Sequence, residues 1–209
     1  MLAAPLRPGT PEGQARRVVV YTANEHDQRL EAVGQAAAFW NQTLSTLTLP
    51  QAFLEPRVVV SARETRTLQT YATRVSKDGW KDDAEYAPGT AALAPPPEVT
   101  SLSGDVLVLL STQPILSFAW PIGAGRYLVT IRSDAVPPLN TPSARRNVLA
   151  HEFGHTLGLR HNDEPTNLMC ASCEMTVSRS QGSSFLPLRP EDLAWLAQNS
   201  HVAPPPSRR

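Results

Sequence analysis

The sequence predicts an α/β (α+β) fold: a mixed, twisted β-sheet, a long crossover helix, a second long helix carrying histidines, and a small C-terminal lobe with a final helix. Three observations predict it. A β-branched run at Val18–Thr22, helical spacing of Leu30, Val33, Ala37 and Trp40 within 25–42, and a second β-branched run at 57–62 give the order strand, helix, strand. The run Asp105–Leu110 is nearly all apolar, as in a strand buried on both faces. Between Pro142 and Leu157, Val148, Leu149, Phe153 and Leu157 recur at helical spacing.

Residues 1–15 are rich in proline and glycine and read as a disordered leader. One domain is expected over 16–201, with an upper lobe at 16–158 and a lower lobe at 159–201; 202–209 reads as a disordered tail. Asn24 is a candidate cap for the first helix. Residues 65–100 read as irregular. Within them, four acidic residues near Gly79, over Lys77–Glu85, raise the possibility of a Ca2+ loop, but their spacing is not that of an EF-hand and lysines interrupt it. Ala94–Pro97 reads as a stiff connector. Ile115–Trp120 reads as an edge strand or an extended segment, and Gly123–Gly125 as a turn. Arg126–Ser133 alternates, with Tyr127, Val129 and Ile131 on one side. It reads either as an edge open to strand addition by a peptide or as an ordinary hairpin strand. Pro190 opens a last helix, with Glu191 and Asp192 in its first turn.

Composition narrows the function. Of 209 residues 41% are hydrophobic, enough for a core, and the formal net charge is zero. With no basic run longer than a pair, nothing points to nucleic acid or an anionic membrane surface. No apolar run approaches the roughly 20 residues that span a bilayer. The start lacks the apolar stretch of a secretory signal. Two cysteines are too few for a disulfide framework.

The chemistry concentrates in His151-Glu152-Phe153-Gly154-His155-Thr156-Leu157-Gly158-Leu159-Arg160-His161, which reads H-E-x-x-H-x-x-G-x-x-H. Histidines four apart share one helix face and can hold one metal ion. Gly158 falls where the helix ends; a left-handed glycine there would turn the chain and bring His161 back as a third ligand. Three protein ligands and one open position describe a catalytic zinc site. Glu152 is placed to serve as general base toward a zinc-activated water. Thr141, Pro142 and Ser143 supply a cap and a proline for the helix start.

This long motif, followed by Met169 in Asn167-Leu168-Met169, resembles the metzincin zinc metallopeptidases, and among them most closely the matrixins. Met169 lies eight residues after His161, the short matrixin interval; astacin-like and serralysin-like members have a longer one. The similarity covers 142–170, and Leu188–Ala197 also resembles the closing matrixin helix. The resemblance implies a zincin-like fold, one catalytic Zn2+ on His151, His155 and His161, Glu152 as the catalytic residue, and Gly158 and Met169 as supports, Met169 forming a methionine turn. It implies a monomeric zinc endopeptidase acting on protein or peptide substrates, secreted, with a pocket wall built from Cys170–Val177. A binding module without proteolytic activity on the same scaffold is the alternative, and a zinc hydrolase of non-peptide amides a third reading. The chain departs from the family in three places. Asn162 stands where matrixins carry serine, adamalysins aspartate, astacins glutamate and serralysins proline. No cysteine precedes the motif to serve as a matrixin cysteine switch. Cys170 and Cys173 make a C-x-x-C that resembles archaemetzincins, whose cysteines hold a second zinc. Two thiolates alone do not close a four-ligand site, so a disulfide, free thiols and metal binding all stay open.

Overall fold

A computed structural model describes residues 15–78, 93–135, 137, 139–171 and 184–199. Five strands form one sheet in the order β2-β1-β3-β5-β4: β1 Val18–Thr22, β2 Arg57–Val60, β3 Val106–Leu110, β4 Phe118–Gly123 and β5 Arg126–Ile131. β2, β1, β3 and β5 are mutually parallel, and β4 runs antiparallel to β5 at the edge. The helices are α1 Arg29–Thr46, α2 Ala62–Asp78, the single turn α3 Pro97–Thr100, α4 Pro142–Thr156 and α5 Pro190–Asn199. This is the mixed α/β architecture expected.

The period-2 alternation of the strands divides the core in two. Val18, Val20, Val106, Val108, Leu110, Val129 and Ile131 pack against α1 and α4. Val19, Tyr21, Leu107, Leu109 and Leu128 pack on the other face with Leu68, Tyr71, Ala72 and Val75 of α2. All five residues of β3 are buried, as its apolar run demands.

Three sequence expectations need correction. First, within the stretch 65–100 that reads as irregular, residues 65–78 are helical and complete α2. Leu68, Tyr71, Ala72 and Val75 stand at i, i+3, i+4 and i+7, the spacing of an amphipathic helix. Ser61 starts it, its hydroxyl accepting from Glu64 N–H at 3.4 Å and its carbonyl from Thr65 N–H at 3.0 Å. Second, α1 begins at Arg29 rather than Glu25. The Asn24 side chain accepts from His26 N–H and the Asp27 carboxylate from Arg29 N–H, so these polar residues build turns first. Third, of the two readings of Arg126–Ser133 the hairpin strand holds and the edge does not. Leu128 is fully buried on the second face, and β3 and β4 flank the strand. The edge on that side of the sheet is β4, and β2 is the other edge. The acidic loop suggested for calcium falls on 79–85, outside the described residues, as do the leader 1–14, residues 172–183 and the tail 200–209. No described helix is long and apolar enough to cross a membrane.

Candidate metal centre

The histidine helix is fixed at both ends by local chemistry. At its start the Thr141 hydroxyl accepts from Ala144 N–H at 3.3 Å, and Pro142 occupies the first turn. At its end Gly158 has φ +90°. Leu159 N–H donates to Gly154 O at 3.1 Å and Gly158 N–H to His155 O at 2.9 Å, the paired bonds of a Schellman stop. Glycine is needed here twice over, because a Cβ would lie 2.4 Å from the Trp195 ring of α5. The Arg16 guanidinium, nearly all buried, donates to Thr156 O at 2.6 Å, a cation at the negative end of the helix dipole.

The turn brings His161 back. The Nε2 atoms of His151, His155 and His161 form a triangle with edges of 3.0, 3.0 and 3.2 Å. Tetrahedral zinc at a Zn–N distance of about 2.0–2.1 Å requires edges of about 3.3 Å. His151 Nδ1 lies 2.7 Å from Leu168 O, and His155 Nδ1 lies 2.9 Å from Leu159 O. A carbonyl only accepts, so both Nδ1 atoms carry the proton, and in the neutral rings both Nε2 atoms present lone pairs. Two lone pairs 3.0 Å apart repel. A cation at the centre of the triangle turns that repulsion into ligation, and the carbonyls become the outer partners that fix ring orientation. The His151 and His155 rings are held neutral as ligation requires. Burial, with the His161 charge adding to it, holds His151 down at about 4. Burial, then the charges of His151 and His161, keeps His155 well below its ordinary value. The three-histidine cluster can therefore hold zinc.

Glu152 is buried beside His151. Burial pushes its carboxyl up to about 8, and the Ala119 N–H of β4, donated to it, opposes that rise. Its Oε2 has no hydrogen-bond partner among the described residues. An unpartnered buried carboxylate oxygen is costly in isolation and marks a place where a cation or substrate completes the site.

The loop after His161 is held by two buried amides. Asn162 Nδ2 donates to Asn167 Oδ1 at 3.1 Å, Asn162 Oδ1 accepts from Glu164 N–H at 3.1 Å, and Asn167 Oδ1 also accepts from Met169 N–H at 3.2 Å. Asn162 N–H donates to Met169 O at 2.8 Å, and Ala171 N–H to Asn162 O at 2.8 Å. Asn162, in the family's variable position, thus clips the segment whose Leu168 carbonyl orients His151. Met169 is fully buried against Gly154, where a Cβ would come within 2.7 Å of its Sδ. Cys170 is disulfide-bonded. The chain's other cysteine, Cys173, lies outside the described residues together with most of the expected pocket wall.

Sequence reasoning singled out the three histidines, Glu152, Gly158 and Met169, and the fold brings the histidines together. It passed over Gly154, Trp40, Asn162 as a clip, and Arg16. Trp40, fully buried in α1, donates from Nε1 to Ala150 O at 2.8 Å and reaches within 2.9 Å of a Cβ placed on Gly154. A signal existed for Gly154: glycine inside a helix costs about 1 kcal/mol against alanine, so its presence calls for a packing reason.

Residues 71–193, more than half of the chain, match the matrixin family of peptidases. No curated protein matches the sequence. Among solved structures, archaemetzincin from Methanopyrus kandleri is similar at a TM-score of 0.45 and 14% identity, over 90% of this chain and 97% of that one. The matched span contains α4, all three histidines and the loop that orients them: the chain belongs to the matrixin family of peptidases.

Proposed function

We propose that this protein is a zinc-dependent endopeptidase in which Glu152 is the general base. The observation that carries the reading is the Nε2 triangle, 3.0–3.2 Å on a side, with Nδ1 of His151 and His155 each fixed on a carbonyl. A zinc ion held by the three imidazoles would supply Lewis acidity, lowering the pKa of a water from 15.7 toward about 7 and polarising the scissile carbonyl. Glu152 takes the proton of the attacking water and passes it to the departing amine. A neighbouring cation favours the ionised carboxylate, offsetting the rise that burial imposes and keeping the base available near neutral pH. Met169, wedged under the histidine helix at Gly154, sets the floor of the site. The outer edge of β4, which reaches Glu152 through Ala119 N–H, gives an extended peptide a strand to pair with. Peptide-library digestion with and without a chelator tests the activity, and cleavage that survives complete zinc removal contradicts it. Glu152→Gln should keep zinc, by metal analysis, and lose about 10²–10⁴ in kcat. Turnover at the parental rate would remove Glu152 from its role. His155→Ala should lose zinc as well as turnover.

A further inference from the structure

Of the four large hydrophobic side chains exposed among the described residues, Leu54, Val58 and Val60 lie on or just before β2, at 44–52% exposure. β2 pairs with β1 alone, so its far side is a sheet edge. Ser61 N–H donates to Thr22 O at 3.0 Å, with Val60 opposite Thr22 in the parallel register, so the odd-numbered residues of β2 turn their backbone groups toward β1. Val58 and Val60 therefore turn N–H and C=O outward, and no described residue bonds to those groups. Their side chains stand on the α1 face of the sheet, in line with Val20 and Thr22, yet uncovered by that helix. On the other face α2 leaves the edge behind, packing Leu68, Tyr71 and Ala72 with Val19, Tyr21 and Leu107 of β1 and β3. Sheet edges ordinarily carry lysine, proline or a bulge against pairing. The outward positions of β2 carry valine.

We propose that the β2 edge is an interface for a second copy of this chain, the two β2 strands pairing antiparallel about a twofold axis and joining two five-stranded sheets into one. The chain permits one register. Val58 opposite Val58 of the second copy would set Val60 against Pro56, which has no N–H. Val60 opposite Val60 would set Val58 against Ala62, already the first residue of α2. Val58 opposite Val60 satisfies both residues in both copies, each pair exchanging bonds in both directions, with Val59 on the axis. That register also lays Val58 beside Val60 of the second copy on one face, a cross-strand pair that β-branched side chains favour. Past the strand ends it brings Glu55 of one copy to Arg63 of the other, twice over, and both residues are exposed. This charge match singles out a second copy over an arbitrary extended peptide. Where the family resemblance implies a monomer, β2 gives this chain a reason to pair. About four hydrogen bonds and a strip of valines fall short of a standard interface, so Kd is on the order of 10 µM or higher. Both β4 strands stay at the outer ends of the joined sheet.

Sedimentation velocity of the full-length protein over about 1–300 µM tests the pairing. The weight-average coefficient should climb from the monomer value toward that of a dimer. Val60→Pro removes an outward N–H without touching the ladder to β1, and should weaken association roughly ten- to hundred-fold. Val58→Lys sets a charge on the valine strip and should leave a monomer across the range. Both positions are exposed, so a Tm equal to the parent's at low concentration separates lost pairing from lost fold. Glu55→Arg should weaken the dimer roughly three- to ten-fold, and Glu55→Arg with Arg63→Glu should restore it. A parent that sediments as a monomer at every concentration overturns the proposal, as does a dimer that persists in both Val60→Pro and Val58→Lys. A dimer lost in Val58→Lys but blind to the Glu55 and Arg63 exchanges overturns the register. Zinc and cleavage take no part in these measurements, so either result leaves the peptidase reading as it stands.

Discussion

Gly154 occupies a helix interior in which alanine would ordinarily be favoured by about 1 kcal/mol. Here the sign reverses. A Cβ would meet Met169 Sδ at 2.7 Å and Trp40 at 2.9 Å, and both side chains are fully buried. Gly154→Ala should therefore destabilise the fold by about 1–3 kcal/mol, the range for overpacking, read as a lower Tm. A Tm equal to or above the parent would show that Met169 moves aside freely. Asn162 makes a second case. Replacing it with alanine leaves Asn167 Oδ1 without its Nδ2 partner and loosens the segment carrying Leu168 O. Zinc affinity, measured by chelator competition, should fall about ten-fold, the lower end for loss of an outer partner of a ligand. Unchanged affinity would place the clip outside the metal site's support. The three-histidine cluster was legible in the sequence because its geometry is local: i and i+4 on one helix, then a glycine turn. Gly154 and Asn162 act through contacts that only the folded chain creates, so spacing alone left them silent.

At the scale of elements, the sequence was legible where an element carries its own start and stop. α4 begins at the Thr141-Pro142 cap and ends at Gly158, as the sequence alone predicts. α2 escaped notice because polar and charged residues fill its exposed face and mask a sound apolar stripe. The β4–β5 hairpin turns on Ala124 and Gly125 with φ of 50° and 71°, both positive, as a tight two-residue turn demands. Ala124 bears that conformation at a cost which asparagine or glycine would reduce. Ala124→Asn should stabilise the protein by about 0.5–1 kcal/mol, or about 2–4 °C in Tm; a lower Tm would contradict the turn assignment. Just before β3, burial raises the Asp105 carboxyl, but bonds from the Arg17 backbone and guanidinium lower it further, and the net shift is downward. A lowered folded value means that the interaction is fully present above the unfolded pKa of about 3.9 and lost as pH falls through the folded value. The stability difference between the parent and Asp105→Asn should thus be small, constant above about pH 5, and vanish in acid. It stays small because Arg17 is largely exposed and the pair is screened. A difference that grows on acidification would refute the sign.

Across the whole molecule, sheet order was the least legible feature, because parallel neighbours are joined through distant crossovers and any strand with two apolar faces fits the interior. One buried group secures that order. Arg29, at the start of α1, pairs with Asp27 at 2.6 Å and donates to Ser111 O and Arg132 O, closing the ends of β3 and β5 together. The metal site is tied into the same frame from three sides. Trp40 of α1 holds Ala150 O, the Asn147 side chain accepts from Leu186 N–H at 2.8 Å, and Leu168 N–H donates to Pro187 O at 2.8 Å. Helix, ligand loop and the segment before α5 therefore meet at the histidines, and an ion held there bonds to the folded arrangement and not to the open chain. Binding to the folded state alone adds RT ln(1 + [L]/Kd), about 4 kcal/mol at a thousand-fold excess over Kd, or on the order of 10 °C for a chain of this size. Chelation should lower Tm by about that amount and added zinc should restore it. His155→Ala should sit near the chelated value and gain nothing from zinc. A His155→Ala protein that zinc stabilises as strongly as the parent would mean that the ion binds elsewhere, and the three-histidine triangle would lose its claim to the metal.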